Sequence, residues 1–393
     1  MTPLPLALKS LTARLFLAAL VSLATLPVTA GQEPMPKPPA ISANGYLLVD
    51  NDSGRILAEQ KSDERMEPAS ITKLMTGYIV FKALDEKRLS LTDTVPVSEY
   101  AWRTGGSASG GSTTFLELNS QVPVEVLIKG MIIQSGNDAT IALAEKLGGS
   151  EDGFVQMMNE YAKRLGMTNT HFENSWGGPG AEHYTTARDL SVLARAIIRE
   201  FPEYYKWYSE REFTWNGIRQ ANRNGLLARD SSVDGMKTGH TDSAKYCLVS
   251  SAKRGDMRLI AVVLGSPTVK AREEGSAALL NYGFTFFETV PMQTAGKVLL
   301  TPRVFKGAEN SVQVGIAHDI SVTIPRGQGA SLGKETVLNM PLLAPLTAGQ
   351  SVGELIVTSG DAVVAREPLV TLGPVEEAGF FGSLYDSVLL WFE

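Results

Sequence analysis

The chain has 393 residues, of which 44% are hydrophobic and 20% charged, the composition of a globular protein with a substantial core. Its length suits two domains, and its formal net charge of −6 argues against a nucleic-acid partner. The single cysteine, Cys247, excludes an intramolecular disulfide and is predicted to be a small buried strand residue. The histidines form no metal-ligand pattern, so neither a metal nor another cofactor is expected; they are His171, His183, His240 and His318.

The N-terminal segment has the layout of a secretory signal peptide. Lys9 and Arg14 precede an apolar run over residues 15–26, and a small-x-small sequence follows at residues 28–30. The run is shorter than the about 20 residues that a transmembrane helix needs. We therefore predict a signal peptide over residues 1–30 and an exported mature chain, with an uncleaved anchor as the alternative.

Residues 31–289 are predicted to form a first domain that mixes strands and helices. Two apolar runs around the Asn/Asp/Gly turn at residues 51–54 predict a β-hairpin. Further strands are predicted at residues 213–215, 246–251 and 259–264. Apolar residues three and four apart predict helices at residues 70–84, 124–133, 139–147, 152–165, 186–198 and 272–286. Strands at both ends and helices between them indicate an α+β domain, in which helices cover a sheet and form an insertion.

Residues 290–375 are predicted to form a small all-β domain, because the helical period stops and short apolar runs alternate with Gly and Pro turns. Its predicted strands include residues 312–314, 320–324 and 355–357. The tail, residues 376–393, places apolar side chains on one helical face, namely Phe380, Phe381, Leu384, Val388, Trp391 and Phe392. We predict an amphipathic helix that anchors the chain on a membrane surface, with docking on the β domain as the alternative. The tail has no Lys or Arg, so only apolar burial is expected to hold it there.

Three short motifs occur in order along the first domain. They are Ser70-Ile71-Thr72-Lys73, Ser135-Gly136-Asn137 and Lys237-Thr238-Gly239. Ser-x-x-Lys, Ser-Asp-Asn and Lys-Thr-Gly in this order are the signature of penicillin-binding proteins and class A β-lactamases, and Gly136 stands here in place of the aspartate. Each motif alone is weak, so the prediction rests on the ordered set in fitting elements.

The spacing of the first motif suits nucleophilic catalysis. Ser70 and Lys73 lie three residues apart at the predicted start of a helix, so their side chains share one face. A serine hydroxyl needs a neighbouring base. A lysine can be that base when burial, a second cation such as Lys237 and the helix N-terminus lower its pKa. Ser135, on a turn, is predicted to relay a proton to the leaving amine.

The third motif is predicted to hold the substrate. Gly239 lets a substrate backbone lie against a strand edge, and Thr238 offers its hydroxyl to a carboxylate. The backbone N–H groups of Ser70 and His240 are the candidate donors to the oxyanion. A rival nucleophile, Ser331 in a Gly-x-Ser-x-Gly sequence, lacks the later histidine that this arrangement needs, so we predict a turn residue there.

Longer segments around the motifs closely resemble the low-molecular-mass D-alanyl-D-alanine carboxypeptidases, which are penicillin-binding proteins. The similar segments are residues 67–76, 134–139, 217–227 and 234–241, and the likeness covers nearly all of the chain after residue 30. The resemblance implies a transpeptidase-like catalytic domain, with a five-stranded antiparallel sheet and a helical subdomain, followed by a β-rich stalk. It also implies removal of the terminal D-alanine from the peptidoglycan stem peptide in cell-wall remodelling and cell-shape maintenance, and covalent inhibition by β-lactam antibiotics.

The same resemblance implies roles for single residues. Ser70 is the nucleophile, Lys73 the base and Ser135 the proton relay. The implied substrate-binding residues are Asn137 at an amide, Lys237, Thr238 and Arg272 on the carboxylate side, and Gly239 and His240 beside them. For Arg272, an ordinary helix-surface arginine is the alternative. Thr140 stands where family members often have a cysteine, which bears on sensitivity to thiol reagents and not on catalysis. The expected location is the periplasm, on the outer face of the cytoplasmic membrane.

Three other functions remain as alternatives. A class A β-lactamase would carry Glu-x-x-Leu-Asn between the second and third motifs, and no such sequence lies between Asn137 and Lys237. A D,D-endopeptidase or transpeptidase would use the same residues, because water and an amine compete for one acyl-enzyme. A non-catalytic envelope-binding protein would be expected to have lost Ser70 or Lys73.

Overall fold

The computed structural model describes residues 35–379, 386–387 and 389–390. The predicted signal peptide, residues 1–30, and most of the predicted amphipathic helix, residues 376–393, lie outside these described residues. From Lys37 onward the described chain forms one compact unit. No helix in this described part is long and apolar enough to cross a membrane.

The first domain contains nine strands and nine helices within the described residues. The strands are β1 (Gly45–Asp50), β2 (Ile56–Gln60), β3 (Thr94–Pro96), β4 (Gln121–Pro123), β5 (Glu212–Trp215), β6 (Ile218–Ala221), β7 (Val233–Thr241), β8 (Lys245–Arg254) and β9 (Met257–Ser266). The helices are α1 (Lys73–Asp85), α2 (Glu99–Gly105), α3 (Val124–Lys129), α4 (Asn137–Gly148), α5 (Glu151–Arg164), α6 (Ala187–Glu200), α7 (Pro202–Tyr205), α8 (Leu226–Arg229) and α9 (Val269–Phe286).

The central sheet has five antiparallel strands in the order β2-β1-β9-β8-β7, as the resemblance implied. Helices cover both faces, so successive residues of a strand enter different cores. In β1, Leu47 and Val49 pack into the larger core with α1 and α6, whereas Tyr46 and Leu48 pack into a smaller core with α9. Strand β7 lies at the edge of the sheet, which leaves one of its sides open to other groups.

The predicted elements of this domain are largely confirmed. The hairpin around residues 51–54 is β1–β2, and the last predicted helix forms but begins earlier, at Val269. The helix predicted over residues 70–84 starts as a 3₁₀ turn at Ala69–Thr72 and becomes α-helical at Lys73. The helix predicted over residues 124–133 divides into α3 and a π-helical turn at Gly130–Gln134.

The second domain is all-β within the described residues, as predicted. Its strands are β10 (Phe287–Gln293), β11 (Val304–Phe305), β12 (Val314–Ile316), β13 (Ile320–Pro325), β14 (Leu332–Leu338), β15 (Leu342–Leu343), β16 (Ser351–Ser359) and β17 (Ala362–Thr371). Four of them form a sheet in the order β12-β17-β16-β14, and β10 pairs with β13. The strand predicted at residues 312–314 instead starts at Val314, because its pairing with β17 runs from Val314 to Ile316.

A partly buried hydrogen-bond network joins the two domains. Asp50 is fully buried at the end of β1, and its Oδ2 accepts a hydrogen bond from Thr289 Oγ1 at 2.6 Å. Ser53 Oγ lies 2.6 Å from Thr323 Oγ1, and Arg55 Nη1 donates to the Thr323 carbonyl at 2.5 Å. The turn between β1 and β2 is therefore bonded directly to β10 and β13, and the predicted domain boundary at residue 289 falls within β10.

Candidate active site

The three motifs meet at one cleft with a volume of about 630 Å³. The 3₁₀ turn that precedes α1 brings Ser70, the turn before α4 and the first residue of α4 bring Ser135 and Asn137, and the open edge of β7 brings Thr238 and Gly239. The sequence spacing between motifs is large, so only the fold places them together. None of the described residues that line this cleft is acidic.

Lys73 lies at the centre of the polar contacts. It is 1% exposed, and its Nζ is 3.0 Å from Ser70 Oγ. The same Nζ is 2.7 Å from Asn137 Oδ1 and 2.5 Å from the Trp176 carbonyl oxygen. The three-residue spacing of Ser70 and Lys73 therefore produces the contact that the sequence predicted, and two carbonyl oxygens complete the surroundings of the amine.

The edge strand approaches the first motif very closely. A Cβ atom on Gly239 would lie 2.9 Å from the Pro68 carbonyl oxygen and 3.1 Å from Ile71 Cγ1. A side chain at this position would therefore push β7 away from the 3₁₀ turn. Glycine is therefore needed here for close packing of the edge strand against the turn.

The second motif sits on a turn with unusual backbone geometry. Ser135 has a φ of 67°, in the left-handed region that non-glycine residues seldom adopt. Its Oγ accepts a hydrogen bond from Lys237 Nζ at 2.9 Å, and that amine also donates to the Thr238 carbonyl at 3.0 Å. Ser135 and Lys237 thus form a second serine–lysine contact beside the first.

Gly136, which replaces the aspartate of the general signature, is explained by packing. A Cβ atom at this position would lie 1.9 Å from Thr114 Oγ1 and 2.8 Å from the Thr114 backbone nitrogen. The neighbouring carboxylate, Asp138, is fully buried and accepts hydrogen bonds from Thr113 Oγ1 and from the backbone N–H groups of Thr114 and Leu116. Asp138 therefore fixes the segment that leaves no space for a side chain at residue 136.

Burial and nearby cations lower the pKa of both lysines. Burial, followed by the positive charge of Arg223, lowers the pKa of Lys73 to about 7, and Asp138 and Glu151 act in the opposite direction. Burial also lowers the pKa of Lys237 well below its ordinary value, with further contributions from Lys73 and Arg223. Two amines in one buried site therefore disfavour each other's protonation, and a neutral lysine is accessible near pH 7.

Arg272 forms the far end of the cleft. It is 5% exposed, so the structure contradicts the alternative of a helix-surface arginine. Its Nη1 and Nη2 donate only long hydrogen bonds, of 3.5 Å each, to the carbonyls of Gly239 and Arg223, and its Nε has no partner among the described residues. The guanidinium lies 5.8 Å from the centre of the Tyr246 ring, which stacks on exposed His240 at 4.2 Å. Arg272 is thus a buried cation that forms no salt bridge among the described residues, although the charge of Glu273 acts on it.

Some residues of this site escaped the sequence analysis. The Trp176 contact uses a backbone carbonyl, which leaves no signal in a side-chain pattern. Arg223 lies in the segment 217–227, whose resemblance was noted, but no role was expected for it. Two other expectations can be compared directly with the structure. Ser331 lies in a 3₁₀ turn with its Oγ bonded to the Gln328 carbonyl, as predicted for a turn residue. Cys247 is a fully buried strand residue, also as predicted.

Comparison with known proteins identifies the family. A family model described as D-alanyl-D-alanine carboxypeptidase matches residues 32–268, and one described as penicillin-binding protein 5, C-terminal domain, matches residues 287–377. The chain is 44% identical to the D-alanyl-D-alanine carboxypeptidase DacA of Escherichia coli K12 over 361 residues, which covers 91% of this chain and 90% of the relative. DacA of Haemophilus influenzae is 43% identical, with 98% of each chain covered.

Solved structures agree with this result. Penicillin-binding protein 5 from Haemophilus influenzae superposes with a TM-score of 0.81 at 43% identity, and covers 87% of this chain and 100% of that one. A single-site mutant of the Streptomyces K15 DD-transpeptidase gives a TM-score of 0.59 at 31% identity, over 63% of this chain and 99% of that one. The predicted family and fold class are confirmed: the chain belongs to the peptidase S11 family of D-alanyl-D-alanine carboxypeptidases and has a transpeptidase-like catalytic domain followed by an all-β domain.

Proposed function

We propose that this enzyme removes the C-terminal D-alanine from peptidoglycan stem peptides through an acyl-enzyme on Ser70. The observation that carries the proposal is the 3.0 Å contact between Ser70 Oγ and the buried amine of Lys73. Family membership supports the same reaction, and the proposed roles of the individual residues follow from the contacts around that pair.

The surroundings of Lys73 suit a neutral amine that acts as a base. A neutral lysine has two N–H donors and one lone pair. The oxygen atoms of Asn137 and Trp176 can accept hydrogen bonds from these two N–H groups, at 2.7 and 2.5 Å, so the lone pair is left facing Ser70. The lowered pKa of Lys73, about 7, makes this neutral state available at physiological pH.

In the proposed acylation, Ser70 Oγ attacks the carbonyl carbon of the scissile peptide bond while its proton passes to Lys73. The N–H groups of Ser70 and His240 stabilise the oxyanion. The tetrahedral intermediate then breaks the C–N bond, and the leaving D-alanine takes a proton through Ser135, whose hydroxyl Lys237 contacts at 2.9 Å. Water later attacks the ester, which frees the shortened peptide and restores the Ser70 hydroxyl.

The carboxylate of the substrate is proposed to lie between Thr238 and Arg272. Arg272 is buried with only long contacts to carbonyl oxygens, so an incoming carboxylate would provide the charge-assisted bonds it lacks. The cleft wall carries no acidic side chain in the described chain, which also favours an anionic peptide terminus. Asn137 is proposed to contact an amide of the peptide that precedes the scissile bond.

Covalent inhibition by β-lactams follows from the same chemistry, because the strained ring places an acylating carbonyl beside Ser70. The deacylating glutamate of class A β-lactamases has no counterpart on the described cleft wall, since none of its residues is acidic. We therefore expect a slowly hydrolysed penicilloyl-enzyme, and rapid turnover of penicillin would contradict this reading.

The decisive experiment uses the purified protein and its Ser70→Ala variant. Mass spectrometry after incubation with benzylpenicillin should find one adduct on Ser70 in the wild type and none in the variant. D-alanine release from a diacyl-D-Ala-D-Ala peptide should follow the same pattern. A wild type that forms no adduct and releases no D-alanine would favour a non-catalytic envelope-binding protein.

A D,D-transpeptidase activity is the second candidate, and the similarity to the Streptomyces K15 DD-transpeptidase favours considering it. An amine and water would compete for the same acyl-enzyme, so the products distinguish them. Cross-linked and monomeric muropeptides should be supplied separately. Hydrolysis of monomers without new cross-links supports the carboxypeptidase. New cross-links would indicate a transpeptidase, and cleavage of existing cross-links would indicate an endopeptidase.

We further propose that the chain works in the periplasm, with residues 1–30 as a signal peptide, residues 31–289 as the catalytic domain, residues 290–375 as a stalk and residues 376–393 as a membrane-surface helix. Apolar side chains at one helical spacing in the tail support the last assignment. In a flotation assay, the mature chain should float with lipid vesicles, whereas a chain truncated after Glu377 should not. Equal flotation of both would contradict the anchor.

A further inference from the structure

Glu151 is a buried carboxylate that the proposed mechanism does not use. It is the first residue of α5 and is 8% exposed. Its Oε1 accepts two hydrogen bonds from Ser175, from the N–H at 2.9 Å and from Oγ at 2.7 Å. Because one oxygen accepts both bonds, the amide oxygen of a glutamine would make the same contacts. The features that only glutamate adds are its negative charge and its second acceptor oxygen, and the carboxylate interacts with the Tyr100 side chain.

Ser175 connects this carboxylate to the nucleophile and base. Its side chain is fully buried, and its carbonyl accepts a hydrogen bond from Thr76 Oγ1 at 2.6 Å, one turn beyond Lys73 on α1. The next residue, Trp176, presents its own carbonyl to Lys73 Nζ at 2.5 Å. The segment whose carbonyl accepts a hydrogen bond from Lys73 is therefore held in place by α5 on one side and by α1 on the other.

The charge of Glu151 also acts on Lys73. Burial and Arg223 lower the pKa of Lys73, and the carboxylates of Asp138 and Glu151 raise it. Burial and Glu151 together raise the pKa of Tyr100, which faces this carboxylate from α2. The charged or titratable groups that face Lys73 and Glu151 are Arg223, Lys237, Asp138 and Tyr100. Glu151 is thus one of two buried acids that oppose the surrounding cations.

We propose that Glu151 is a positioning residue for the Ser70–Lys73 pair. Glu151 holds the Ser175–Trp176 segment against Lys73, and its charge stabilises the lysine once the lysine has accepted the serine proton. The proposal rests on the roles of Ser70 and Lys73 proposed above. Its physical basis is that Lys73 becomes an ammonium in the middle of the reaction, in a buried site where the charge of Arg223 opposes its protonation.

The test measures the second-order rate constant of acylation by benzylpenicillin as a function of pH. The variants are Glu151→Gln, Ser175→Ala and, as a matched control, Glu160→Gln, an exposed glutamate on the same helix. Loss of the Glu151 charge lowers the pKa of Lys73 further. The acid limb, which is the part of the profile where the acylation rate rises with pH, should therefore shift to lower pH by about half a unit. Ser175→Ala should instead lower the alkaline plateau by about tenfold and leave the limb unmoved. The control should match the wild type in both respects.

The outcomes separate the two proposals. If the wild type itself is not acylated, the proposed function fails. If the wild type is acylated and a folded Glu151→Gln variant keeps the wild-type limb, Glu151 has no electrostatic role and the inference is overturned. A folded Ser175→Ala variant with an unchanged plateau would overturn the positioning role. Thermal melting establishes that each variant is folded, and Glu151→Gln should remain folded because it keeps both Ser175 contacts.

Discussion

The two buried lysines of the site, Lys73 and Lys237, each contact a serine but differ in their other hydrogen-bond partners. Lys73 contacts two carbonyl oxygens and Ser70, which is the set of partners that suits a neutral amine. Lys237 contacts Ser135 Oγ and the Thr238 carbonyl. The fold therefore gives these two chemically identical side chains different partners, which supports the different roles proposed for them above.

The pH dependence of acylation should report Lys73. Because its pKa is lowered to about 7, the charged form dominates below that pH and the neutral base above it. The acylation rate should therefore rise with pH through about 7 and then reach a plateau. Stopped-flow acylation by a chromogenic β-lactam measures this profile. A rate that falls as pH rises through 7 would contradict the assignment.

A matched pair of variants tests the same residue. Lys73→Arg keeps a cation in place but cannot lose its proton, so acylation should fall by at least about a thousandfold. Lys163→Arg, on the exposed face of α5, is the control and should acylate at the wild-type rate. Retention of more than about a tenth of the activity by Lys73→Arg would remove Lys73 from the role of base.

Single elements show what the sequence could predict and what it could not. The helix that carries Ser70 and Lys73 was predicted because its periodicity is local, and so was the hairpin of β1 and β2. The 3₁₀ start of that helix and the positive φ of Ser135 were not predicted. Both depend on contacts with distant segments, such as Gly239 against Pro68, which no local pattern encodes.

The same limit applies to the site. Side chains in the motifs were predicted because their types and spacing carry the chemistry. The Trp176 carbonyl was missed because every residue has a carbonyl, and its position is set by the Glu151–Ser175 contact across the fold. Arg223 was missed because it approaches the lysines only after β6 and the segment that follows have packed against the turn near Gln134.

The turn between the π-helical turn and α4 gives a prediction at this scale. Gly136→Ala would place a Cβ atom 1.9 Å from Thr114 Oγ1. The turn would have to move, which should lower the free energy of unfolding by about 2 kcal/mol. The shift should also displace Ser135 and so slow the acylation of Ser70. Gly373→Ala is the control, because a Cβ atom there meets nothing within 4 Å. Urea unfolding measures the cost, and a Gly136→Ala variant as stable as the control would contradict the packing argument.

At the scale of the whole molecule, the two domains are bonded through a buried carboxylate and not only through a linker. Asp50 accepts hydrogen bonds from Ser53 within its own turn and from Thr289 on the neighbouring domain. A buried carboxylate that loses its partners is costly, so the network favours one relative arrangement of the domains. The catalytic cleft is then held at a fixed orientation to the all-β domain.

Asp50→Ala should therefore weaken the contact between the two domains, which we call the joint, without altering the cleft. We expect the free energy of unfolding to fall by about 2–3 kcal/mol, faster proteolysis near β10, and acylation within about twofold of the wild type. Asp361→Ala, on the exposed turn between β16 and β17, is the control. Calorimetry and limited proteolysis measure these effects. An Asp50→Ala variant with wild-type melting and proteolysis would show that the joint does not depend on this network.

The open edge of β7 has a consequence for selectivity. Four consecutive residues of this strand, from Thr238 to Thr241, line the cleft, where their backbone groups can pair with a bound peptide. A peptide that binds as an additional strand is recognised by its backbone direction and by the chirality of its α-carbons, because these decide which way each side chain projects. We therefore expect strict discrimination between D- and L-alanine at the terminus, and broad tolerance of side-chain size earlier in the peptide.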